Sequence, residues 1–307
     1  MNILTYFEKG PGTEKIKGLV LEIVQSAAKN IGLDHTHLDK IAIAESGKYG
    51  RAIEDLSGDY YTDNKEYFGL GKTISKTINN QLQHSIVFNS RVFDAVFDNI
   101  SSKRDKDLSK WDIEPLCFYY AIPHELGHCR DHDERKVETD TKSLNFSEGF
   151  DLASVHEHYS DILIDEVCAC IFADKYYTQE MINHQFLSER AKLNKSYDEL
   201  RKTLAKNSDQ DNLFPLAARA SEWIWLYQIK FAKHVISSSY RTSDNFRCTP
   251  LADILQNCEE GHTILMQAID LIIDDYPDIT QEVKELLNRA WIQFTLSVFI
   301  GVHSCIK

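Results

Sequence analysis

The run His124-Glu125-Leu126-Gly127-His128 constrains this chain more than any other feature. Its two histidines are four residues apart, and on a helix that spacing sets them one turn apart on one face, with Cβ atoms roughly 5–6 Å apart. Two imidazoles so placed can converge on one metal ion, at about 2.0–2.1 Å each for zinc. Glu125, one step round the helix, then points towards a water held in an open position of that ion, where it can act as a general base. The segment is expected to be helical. Pro123 directly precedes it, so the helix either starts there or is kinked there.

A chain of 307 residues, 43% hydrophobic and 26% charged, has the composition of a globular protein with a substantial core and one large or two modest domains. No apolar stretch approaches bilayer-spanning length. The start, MNILTYFEKGPGTEK, lacks a basic segment leading into an apolar one, so a cytoplasmic protein without a secretory signal is expected. The seven scattered cysteines are expected to be reduced thiols, with Cys168 and Cys170 as small packing residues. A net charge of −13 argues against direct binding to nucleic acid, and would suit a basic partner.

Residues 14–31 read as an amphipathic helix with Ile16, Leu19, Val20, Ile23, Val24, Ala27 and Ile31 on one stripe and Gly32 as its stop. Short strands are expected at Lys40–Glu45, Tyr67–Ile74 and His84–Asn89. Ser90 reads as the N-cap of a helix carrying Phe93, Val96, Phe97 and Ile100. A polar loop over 101–110 and an apolar segment from about Ile113 lead into the histidine helix. Residues 132–158 read as a long polar connection. Helices are expected over about 160–178, 180–205, 216–237, 251–274 and 281–302. The expected fold is α+β and predominantly helical: a small N-terminal mixed sheet and an extended helical C-terminal half, with domains at 1–190 and 191–307.

A catalytic zinc site takes three protein ligands and keeps one position open. Glu166 is the expected third ligand. If Ser160 caps a helix there, with Tyr159 and Ile164 as a hydrophobic staple, Glu166 shares its face with Ile162, Leu163, Ala169, Cys170 and Ala173. A carboxylate among apolar and small residues is costly to bury unless it is paired or bound to a metal. The small residues also admit a close helix neighbour. Glu134 is a weaker rival: it stands where an HExxHxxGxxH pattern has its third His, but Asp131 replaces the turning Gly. His132 lies two turns beyond His124, roughly 12 Å along the axis, too far to share one ion. It reads as a surface residue or as one supporting the ligands.

His124-Glu125-Leu126-Gly127-His128 with His132, followed by a downstream helix carrying Glu166-x-x-Ala169-x-x-Phe172-Ala173, resembles the glutamate-ligand zincins, and within them the ImmA/IrrE metallopeptidases. The likeness spans roughly residues 35–180. Asp131 and Pro123 depart from the family pattern, and the helical stretch after about 195 lies outside its core. Thermolysin-like enzymes place an Asp one turn after the ligand Glu; here that position is Cys170. Asp131, Asp165 or backbone carbonyls are the candidates to orient the ligand histidines.

The resemblance implies a zincin-like core and a zinc metalloendopeptidase acting on a protein or peptide substrate. Relatives cut DNA-binding repressors, often basic ones, which an acidic chain would complement. It also implies that an edge strand binds substrate, with His84–Asn89 as the candidate. His156, His158 and Tyr159 are the candidate oxyanion donors. Two other readings stay open: an interaction protein with a structural or vestigial zinc site, and metal-dependent hydrolysis of a non-peptide amide. His262 and His303 read as structural or exposed, and Trp223, Trp225 and Trp291 as core or interface.

Overall fold

The computed structural model describes residues 1–7, 13–58, 69–103, 108, 111–139, 152–176, 178 and 259–306, with isolated positions between 180 and 225. The expected helices 180–205 and 216–237 therefore fall largely outside the described residues, as do 251–258, residues 140–151 of the 132–158 connection and Trp223. Two units are present: Met1–Asn145 with Lys175–Tyr177, and Phe146–Asp174 with Thr178–Lys307. The helix carrying Glu166 packs with the C-terminal helices and so lies in the second unit. No helix among the described residues is long and apolar enough to cross a membrane.

The first unit opens with strand β1 (Asn2–Tyr6) and helix α1 (Thr13–Ile31). It continues with β2 (Leu38–Ala44), α2 (Tyr49–Ser57), β3 (Gly71–Ile78), β4 (Gln81–Asn89), α3 (Ser90–Lys103) and α4 (Ile113–Arg135). The sheet order is β1-β2-β4-β3, with β1, β2 and β4 parallel and β3 antiparallel to β4. This is a mixed sheet in a predominantly helical chain, as composition and patterning suggested. Ala42, Ala44, Ile74 and Val87 pack against Tyr49, Ala52 and Ile53 of α2. α4 packs on β3, β4, α1 and α3.

α1 stops where Gly32 adopts φ +75°, and the amides of Gly32 and Leu33 donate to the carbonyls of Lys29 and Ala28. Asn79 and Asn80, with φ 52° and 62°, make the two-residue turn joining β3 to β4. α3 is capped by Asn89, not Ser90: the Asn89 Oδ1 accepts from the Arg91 amide at 3.1 Å, and Ser90 is already helical. β1 and α2 were not anticipated. β1 has only five residues, and its pairing with β2 is what makes it a strand.

In the second unit, α5 (Leu152–Ala173), α6 (Glu259–Asp274) and α7 (Gln281–Ile306) share one core. Leu163, Val167 and Cys168 of α5 meet Trp225, Leu265, Ile269, Leu287, Trp291 and Phe294 there. Each fully buried aliphatic or aromatic side chain of this kind contributes about 1.5–3 kcal/mol. Cys170 is buried in the same core, and none of Cys117, Cys129, Cys168 and Cys170 is in a disulfide. His262 stacks edge-on against Phe294, and burial lowers its pKa to about 4, so it is neutral within the core.

Candidate metal centre

α4 runs unbroken through Pro123, so the histidine pair sits in the middle of a 23-residue helix rather than at its start. Proline costs the helix one amide donor, and long flanking segments on both sides hold the helix through it. Tyr120, His124, His128 and His132 follow one another at single-turn spacing and form a column of rings. The Tyr120 and His124 centroids are 5.7 Å apart, those of His124 and His128 4.9 Å, and those of His128 and His132 6.1 Å. His128 is buried and His124 half-buried.

Glu125 is also buried, although it bears a carboxylate. Two residues of β3 explain how. The Thr73 hydroxyl lies 2.9 Å from both the Glu125 carbonyl oxygen and its Oε2, so it can donate to either. At Gly71 there is no side chain, and an added Cβ would sit 2.3 Å from the Glu125 Cγ and 2.7 Å from its Oε1. The carboxylate therefore lies directly on the backbone of β3, held by one hydroxyl. Neither residue was anticipated. The signal was there: Gly71, Thr73 and Ser75 form a period-two stripe of small residues on one strand face, which is what a close helix neighbour needs.

His132 is buried, not a surface residue. Its Nδ1 lies 2.7 Å from the Ser75 hydroxyl. Burial first, then the neighbouring His128, pushes its pKa down to about 2, so the ring stays neutral. Asp131 is fully buried and takes a two-point ion pair from Arg135.

His124 and His128 belong to the first unit and Glu166 to the second. Two imidazoles and a carboxylate, the set expected from sequence, are a zinc donor set, so the chemistry of these residues fits the ion. Within the first unit, His37, His84 and Asp133 have ligand atoms that all lie within 4.8 Å of one another.

Other expectations are corrected. α5 begins eight residues earlier than anticipated, at Leu152, so His156, His158 and Tyr159 are helical and Ser160 is not a cap. Ser160 instead sits mid-helix, 2.9 Å from the His156 Nε2. His156 is buried against Trp225 and Trp291, and the Leu287 backbone is a second hydrogen-bond partner. With both contacts made inside the helical core, it has no N–H to offer a substrate. His158 and Tyr159 are half-buried, their rings 5.4 Å apart and edge to face. The strand expected to receive substrate is also wrong: β4 pairs with β2 on one side and β3 on the other, leaving no edge. β3 is the edge. Its Thr73 and Ser75 carbonyls and its Ser75 and Thr77 amides are engaged by Thr139 and Glu138.

The chain was compared with protein-family models, curated proteins and solved structures, and none of the three comparisons returned a match.

Proposed function

We propose that this chain is a cytoplasmic, zinc-dependent metalloendopeptidase of the zincin type, resembling the ImmA/IrrE family. The observation that carries the reading is the placement of Glu125. A structural zinc site has no need of a second carboxylate buried beside its histidines, tethered by Thr73 and fitted against a glycine. A hydrolytic site needs that group.

In this reading His124, His128 and Glu166 hold the ion. Bound zinc supplies Lewis-acid polarisation of the scissile carbonyl and lowers the pKa of a coordinated water to about 7. Glu125 takes the proton of the attacking water and delivers it to the departing amine nitrogen. Thr73 fixes the carboxylate by hydrogen bonding to it. His158 and Tyr159 are the remaining candidates to donate to the oxyanion. An extended peptide would pair with the edge of β3 near Gly71, the part of that edge beside Glu125. Basic regulatory proteins suit a chain of net charge −13.

Chelation tests the reading. Treatment with 1,10-phenanthroline is expected to abolish cleavage of a proteome-derived peptide mixture, and added zinc to restore it. Loss of thermal stability with cleavage absent throughout would favour a structural ion in an interaction protein.

Gly71→Ala gives a sharper probe of positioning. The new methyl group must displace the Glu125 side chain, which is flexible, so the fold should survive. A displacement near 1 Å costs about a hundredfold in rate. We expect kcat to fall by that order with KM and zinc content unchanged. An unchanged kcat would show that Gly71 does not position the base.

A further inference from the structure

We propose that His37, His84 and Asp133 form a second binding site for a divalent transition-metal ion of the zinc type, separate from the histidine pair of α4. All three residues belong to the first unit. The fold brings them together by strand register. Leu38, the first residue of β2, pairs with His84 of β4, so His37 arrives beside His84 from the short turn His35–His37. That turn is fixed by Asp34, whose carboxylate accepts from the Thr36 amide at 2.9 Å and from its hydroxyl at 2.8 Å. Asp133 comes from the last turns of α4.

Their ligand atoms lie within 4.8 Å of one another. His37 Nδ1 is 2.8 Å from one carboxylate oxygen of Asp133, and His84 Nε2 is 3.2 Å from the other. The second of these contacts carries the argument. His84 is fully buried, yet neither its Nε2 nor the facing Asp133 Oδ1 has a hydrogen bond of acceptable geometry. A ring nitrogen and a carboxylate oxygen 3.2 Å apart, with no well-aligned hydrogen bond between them, can both turn lone pairs to a common third point.

Ser75 permits a tautomer of His84 that can bind a metal. Its hydroxyl lies 2.7 Å from His84 Nδ1 and 2.7 Å from His132 Nδ1. One hydroxyl hydrogen can serve only one ring, so the other ring must donate to the serine oxygen. With His84 as that donor, its proton is on Nδ1 and its Nε2 carries a bare lone pair facing Asp133. This is the arrangement by which an outer hydrogen bond sets the tautomer of a metal-binding histidine. His37 and Asp133 remain accessible enough to admit an ion and a water, with side-chain exposures of 42% and 15%. Two imidazoles and one carboxylate select zinc-like ions over calcium or magnesium. The ion would tie residues 37 and 133 together across most of the first unit.

The test uses zinc alone, titrated into the full chain by calorimetry and checked by elemental analysis. Removing an outer partner of a metal ligand already costs 10–100-fold in affinity, so His37→Ala and Asp133→Asn should each weaken one equivalent by at least about a hundredfold. A His124→Ala/His128→Ala variant should keep this equivalent, which separates the proposal from the peptidase reading. Zinc should also protect His37 of the unaltered chain from diethyl pyrocarbonate, a readout that needs no variant. Zinc stoichiometry and affinity unaffected by either substitution, or His37 modified at the same rate with and without zinc, would overturn the site.

Discussion

Glu125→Gln is expected to keep the metal and to lose peptide hydrolysis by about 10²–10⁴-fold, the range that a positioned general base contributes. The substitution preserves volume and keeps an oxygen within reach of the Thr73 hydroxyl, which now lies 2.9 Å from the carboxylate. It removes only the ability to accept and return a proton. The buried setting makes the effect strong, because bulk water cannot easily replace a base with little exposure to solvent. Metal analysis and terminal mapping of cleaved peptides, run on both proteins, check the two halves separately. Undiminished cleavage by the variant would remove Glu125 from the chemistry; loss of zinc would show that it serves the ion instead.

His124→Ala, His128→Ala and Glu166→Ala are each expected to release one equivalent of zinc and, with it, the activity. A lost ligand leaves two donors, and the affinity drop should exceed about a hundredfold, roughly 2.7 kcal/mol. The three need not weigh equally on folding. His128 is buried in α4, whereas His124 is half-buried, so His124→Ala is the cleaner variant. Retention of the full equivalent by Glu166→Ala would move the third ligand elsewhere.

The helical spacing of the two histidines, the stripe of α1 and the glycine that ends it were legible because they depend on local periodicity alone. The start of α5 was not. His156 and His158 read as part of a polar connection, yet Val155 and His156 are buried and begin the helix face that meets Trp225 and Trp291. A histidine on a tryptophan-lined face is a tertiary fact. Likewise, the β-forming residues of His84–Asn89 identified a strand but not its place in the sheet, since edge or centre is decided by which strands pair on either side.

Chemical identity at single positions came from the sequence: two imidazoles and a carboxylate within one turn, because helix geometry links spacing to direction. Contacts between distant segments came from the folded chain. Only packing of α4 on β3 reveals that Gly71 and Thr73 house Glu125, and only the pairing of Leu38 with His84 brings His37 to Asp133. Such pairings are set by the total burial of both partners, a quantity that no single stretch of residues contains.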